Sequence, residues 1–195
     1  MSSTTRCDAC SGSFGNEHTR PPGGRGVTVF ALKPISRDSI PEALQKAERY
    51  RLLNEPLEAE SICRDVLEID PGNQKAIVWL LLSLTDRIGW GRSGPADEAK
   101  SLLPKIESEY ERAYYAGLIC ERQAKALIRD GRPNTEYRAY DRLTEALGWY
   151  ERAEAARPPG NDDAILRWNT CVRILASHTN VRPEPEGERE LSLLE

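Results

Sequence analysis

Cys7 and Cys10 stand at the spacing of one half of a zinc site, and His18 follows closely enough to offer a third ligand. A closed structural site takes four ligands, and no second close pair follows, so no metal site is expected. The run Gly89-Trp90-Gly91-Arg92-Ser93-Gly94 has the glycines and the cation of a phosphate-binding loop. It lacks the Lys-Ser or Lys-Thr pair that such a loop places at the mouth of a helix after a strand, so it reads as a connector. Nucleophilic or acid–base catalysis needs a base beside its reacting group, and the two histidines, His18 and His178, fall at or beyond the edges of the folding region. Charged neighbours such as Glu107, Glu109 and Glu111 with Arg112, or Glu151 with Arg152, read as solvated helix faces. The chain is therefore expected to be no enzyme and to hold no cofactor.

If the chemistry is thin, the elements beneath it are not. Apolar residues recur at helical spacing between turn signals, and period-two runs of β-branched residues are absent, which predicts an all-α domain of seven helices. They are expected over residues 40–53, 55–69, 73–88, 95–107, 109–129, 134–157 and 162–177. Ser39 and Pro41 start the first, Pro71-Gly72 stops the second, and Pro104 should kink or break the fourth because it lacks a donor and crowds the preceding turn. The phrase Pro71-Gly72-Asn73 followed by Ala76-Ile77 returns as Pro159-Gly160-Asn161 followed by Ala164-Ile165, the mark of a repeated unit.

Composition bounds the rest. With 195 residues, 39% hydrophobic, 30% charged and a net charge of −4, the chain has the make-up of one soluble domain with tails. Its acidic balance argues against binding nucleic acid or an anionic membrane, both of which require concentrated Lys and Arg. The longest apolar run, residues 76–82, is far too short to span a bilayer, and no secretory leader is visible. Five cysteines without framework spacing suit a reducing compartment, so a cytoplasmic location is expected. Residues 1–39, rich in Ser, Thr, Gly and Pro, read as a flexible head, and residues 178–195 as an acidic flexible tail around the folded domain 40–177. Met1 is the only methionine and residues 1–26 read as translated leader, so initiation is expected at Val27, Val29 or Leu32.

Ala43, Lys46-Ala47, Tyr50, Ala59, Cys63 and Pro71 stand at the intervals of a 34-residue helix-pair unit, and 34 residues on Ile77, Leu80-Leu81 and Leu84 repeat the start. Ala99 and Leu103 continue it after about six extra residues; Ala113, Ala116-Gly117 and Cys120 open a third unit that Ala146, Tyr150, Ala153 and Pro158 close. Small residues at Ala47, Ala59, Gly117 and Ala146 would let helices approach while Tyr50, Leu84 and Tyr150 fill the remaining space. Over residues 40–177 the chain resembles a tetratricopeptide repeat protein. It departs from the pattern at Ala43 and Lys46, where an aromatic and a Leu are usual, in a longer second loop, and in a stretched third hairpin. Residues 40–71 also resemble the openings of bacterial repeat proteins of unassigned role.

That resemblance implies a superhelical array of three helix pairs with a capping seventh helix, acting as a scaffold or adaptor that binds a peptide or helix of another protein in its concave groove. Carried across, the family geometry turns Gln45, Glu48, Arg51, Lys75, Trp79, Leu82, Asp86, Tyr114, Tyr115, Leu118, Arg122 and Arg167 toward the groove, with Trp79, Leu82, Tyr114 and Leu118 as an apolar floor. Members that clamp a chaperone's terminal carboxylate use Lys, Asn and Arg at positions occupied here by Leu44, Glu48, Trp79, Glu111 and Tyr115. Two of these bring negative charge, so no such clamp is expected. The alternative is an accessory regulatory subunit of an enzyme, with Cys7 and Cys10 as a metal- or redox-responsive pair.

Overall fold

The computed structural model describes residues 31–91 and 94–185. Expectations that rest on Cys7, Cys10, His18, the start sites Val27 and Val29, and residues 186–195 lie outside them. Among the described residues seven α-helices follow one another: α1 (Ile40–Leu52), α2 (Pro56–Ile69), α3 (Gln74–Asp86), α4 (Pro95–Leu102), α5 (Glu109–Asp130), α6 (Thr135–Ala155) and α7 (Asp163–Ser177). No strand occurs among the described residues. Local chemistry sets the ends. Pro stands in the first turn of α1, α2 and α4, where its missing N–H costs nothing. Asn73 and Ser108 accept from the backbone N–H of Ala76 and Glu111 to cap α3 and α5, and Gly131 closes α5 at φ 62°, a conformation that suits a residue without Cβ. Pro104 ends α4 early: the helix stops at Leu102, and Leu103–Lys105 form a tighter 3-10 turn.

The chain is an all-α array of helical hairpins. Each helix packs on its successor, most extensively α5 on α6 and least α4 on α5. The odd-numbered helices also touch in order, α1 with α3, α3 with α5 and α5 with α7, and so form a layer of their own.

Two large interiors result, with smaller clusters around Leu44 and Val66 and around Ala113 and Ala153. Ala47, Ala59, Cys63, Ile77, Leu81 and Leu84 lead the first, built by α1 to α4, and Ile119 of α5 joins it. Ala124, Ala139, Leu143, Ala146, Tyr150 and Cys171 lead the second, from α5, α6 and α7. Helix α5 is thus a wall of both. Ala47, Ala59 and Ala146 are fully buried, as close helix approach requires. At Gly117 the approach is close, since a Cβ there would lie 2.7 Å from the Tyr150 ring, so α6 can set its tyrosine against α5 only because the side chain is missing.

The folded part runs past both ends expected for it. Ile35 packs against Ile40, Leu44 and Val66, and Arg37 donates to the Ile69 carbonyl at 3.1 Å, so residues expected in a flexible head cover the α1–α2 end. Val181, expected in the tail, is 6% exposed and belongs to the second interior. In both places one apolar side chain finds a groove that local composition does not reveal. Among the described residues no helix is long and apolar enough to cross a membrane.

Candidate functional site

Charged groups from the odd-numbered layer meet at two carboxylates. Asp86 closes α3, where the aligned peptide dipoles leave partial negative charge and attract cations. From α1, Arg51 Nε donates to Asp86 Oδ2 at 2.9 Å, with a second guanidinium nitrogen 2.8 Å from the same oxygen. From α5, Arg122 donates to Oδ1. The Arg51 guanidinium also lies 5.3 Å from the centre of the Trp79 ring, a cation–π distance. One carboxylate thereby ties α1, α3 and α5.

Glu121, the residue before Arg122, is fully buried. An ionised carboxylate in the interior costs several kcal/mol unless charges and hydrogen bonds surround it, roughly the situation found here. The Tyr150 hydroxyl of α6 donates to Oε2 at 2.7 Å. Lys125, one turn along α5, donates to Oε1, and Arg167 of α7 reaches the same oxygen at 3.3 Å. Burial pushes the Tyr150 pKa upward, and the Glu121 charge and hydrogen bond push it further, so the hydroxyl stays protonated and keeps donating. Burial works against the Arg167 cation, but a hydrogen bond with Tyr114 and the charge of Glu121 outweigh it and raise its pKa. Glu121 therefore ties α5, α6 and α7.

Aromatic rings fill the space beside these ties. Tyr114 stacks on Tyr110 at 5.9 Å between centroids, meets Tyr115 edge-on at 5.3 Å and lies 6.0 Å from Tyr150. The Tyr110 hydroxyl donates to Asn161 Oδ1 at 3.0 Å, anchoring the turn before α7. Burial first, then the neighbouring Glu111 charge, pushes the Tyr115 pKa up to about 12.

Between α3, α5 and α7 opens a cleft of about 490 Å³. Arg122, Lys125, Arg129 and Arg167 line it against two carboxylates, Asp86 and Glu121, and Ile88, Ile128 and Ile174 supply apolar wall. His178 stands at its edge, just past the end of α7.

Seven of the twelve residues expected in a groove take part in these contacts: Arg51, Trp79, Asp86, Tyr114, Tyr115, Arg122 and Arg167. Gln45 and Lys75 are exposed, while Glu48 and Leu82 are half-buried, Leu82 against the first interior. Leu118 departs from expectation. It is 1% exposed and cannot belong to an open apolar floor, because α3, α6 and α7 all pack on α5 and bury the whole stretch 116–121. The residues that sequence reasoning missed are Glu121, Lys125, Arg129 and Tyr110. Glu121 and Lys125 sit at the i, i+4 spacing of an ordinary surface pair, and only distant Tyr150 and Arg167 mark the position as interior.

The described cysteines are poor nucleophiles. Burial raises the thiols of Cys63, Cys120 and Cys171 to about 12, which leaves them protonated at neutral pH. The run 89–94 connects α3 to α4 as expected, with Arg92 and Ser93 outside the described residues. No family model, no curated protein and no solved structure matches this chain.

Proposed function

We propose that this chain is a non-enzymatic interaction module of the tetratricopeptide-like kind, an adaptor whose odd-numbered helices receive a peptide or helix of another protein. The observation that carries this reading is the layer α1–α3–α5–α7, along which Arg51, Trp79, Asp86, Arg122 and Arg167 stand half-buried, the last three lining a cleft. Half-buried aromatic and Arg side chains are the groups that anchor partners most strongly. The unreactive thiols fit a surface that binds better than one that reacts.

The test is crosslinking in cells of the native host, with a photoreactive residue at exposed Gln45 or Lys75 on the odd layer, or at exposed Glu58 or Glu68 on α2. A discrete partner band from the odd-layer positions, absent from the α2 positions, is the expected result. Bands from α2 alone, or none from any position, defeat the proposal.

A further inference from the structure

We infer that the cleft between α3, α5 and α7 takes an extended acidic segment of a partner polypeptide, with carboxylates on alternate residues. This deepens the interaction-module reading and rests on it. Charge provides the first argument. Asp86 and Glu121 are each shared by two cations, Asp86 by Arg51 and Arg122, Glu121 by Lys125 and Arg167. Among the described residues the Arg129 guanidinium makes only a long bond of 3.5 Å to the Ile88 carbonyl. Four cations thus line the cleft against two carboxylates in a chain whose net charge is −4, so the positive excess is local.

Spacing provides the second argument. Arg122, Lys125 and Arg129 follow at i, i+3 and i+7 on α5, which sets them about 4.5 and 6 Å apart along the helix axis. Carboxylates on alternate residues of an extended peptide lie about 6.6 Å apart on one side, close to the step from Lys125 to Arg129, and the long Arg122 side chain reaches across the shorter step. Ile88, Ile128 and Ile174 offer apolar wall to the intervening side chains. Free phosphate or a single carboxylate would span at most two of these cations and leave part of the ladder unused.

The sequence of this chain contains such a run, Glu184, Glu186, Glu188 and Glu190, and supplies a probe. A fluorescent peptide of residues 182–191 is titrated by anisotropy into the full chain at low salt. The controls are a peptide with Gln at its four Glu positions, the chain carrying Arg129→Glu, and the chain carrying Lys46→Glu, the same charge change away from the cleft. A further chain carries Glu184→Gln, Glu186→Gln, Glu188→Gln and Glu190→Gln, which removes competition from its own run.

Saturable binding is expected, weakened about tenfold or more by Arg129→Glu and by added salt, unchanged by Lys46→Glu and absent with the Gln peptide. Arg129 is exposed, so a circular-dichroism melt matching the parent shows that this loss is not unfolding. Binding that ignores Arg129→Glu, or no binding to any chain, overturns the inference. Binding only to the Gln-substituted chain also overturns it, because the cleft then serves the chain's own glutamates. If the crosslinks from Gln45 and Lys75 still capture a partner, the acidic occupant alone falls and the module reading stands.

Discussion

Asp86 and Glu121 each gather two cations and each tie three helices, but at different depths. The Asp86 side chain is 20% exposed and its partners Arg51 and Arg122 keep 16% and 26%, so water shares the work. Glu121 has no exposure, and beyond its two cations it takes a directed hydrogen bond from the neutral Tyr150 hydroxyl. A shallow carboxylate is served by countercharge alone. A deep one needs a fixed donor as well, because solvent cannot repair what the cations leave unmet.

The sharpest way to break this contrast is Glu121→Ala, which strands Lys125, Arg167 and the Tyr150 hydroxyl around a hole. It should cost about 3–5 kcal/mol in urea unfolding. Glu121→Gln keeps an acceptor for Tyr150 and should cost clearly less; equal losses would mean the hydrogen bond is irrelevant. Gly117→Ala comes next, since its Cβ would press the Tyr150 ring off the same site, for about 1–3 kcal/mol. Its effect should fall short of additivity with Glu121→Ala, because both act through Tyr150. Additive losses would separate the glycine from the tie.

Asp86→Ala should cost about 1 kcal/mol or less, as for other solvent-shared ion pairs. In 1 M salt that difference should shrink, while the loss in Glu121→Ala should persist. The reverse pattern would invert the assignment of depth.

Raising the pH is the mildest lever near neutrality. The unfolded chain releases its Cys protons near the ordinary thiol value of 9.0, whereas the folded chain holds those of Cys63, Cys120 and Cys171 to about 12. Stability is therefore complete below about pH 9 and lost as pH climbs toward 12. Thermal melts across that window should fall steadily, and a flat profile would contradict the burial of these thiols.

Legibility followed locality. The helix starts at Pro41 and Pro95 and the break at Pro104 were readable because each is decided within one turn of chain. The two Pro-Gly-Asn phrases announced helices correctly, yet they act differently. Asn73 caps α3 directly, whereas Asn161 accepts from Asp163 and from Tyr110, and α7 starts at Asp163. That second partner lies 51 positions away, beyond any local pattern. The same limit explains Leu118 and Glu121, whose burial is decided by helices packed on α5 from elsewhere in the chain. Small residues were the exception among long-range features, because Ala47, Ala59 and Gly117 recur at intervals that only close packing explains.

Helix α5 presents Tyr115 and Ile119 to one interior, Cys120 and Ala124 to the other, and Arg122, Lys125 and Arg129 to the cleft. A rod seated in two sockets cannot slip in one of them alone. Heating should therefore melt the array in one cooperative step, with no half-unfolded plateau in which the first helix pairs outlive the last.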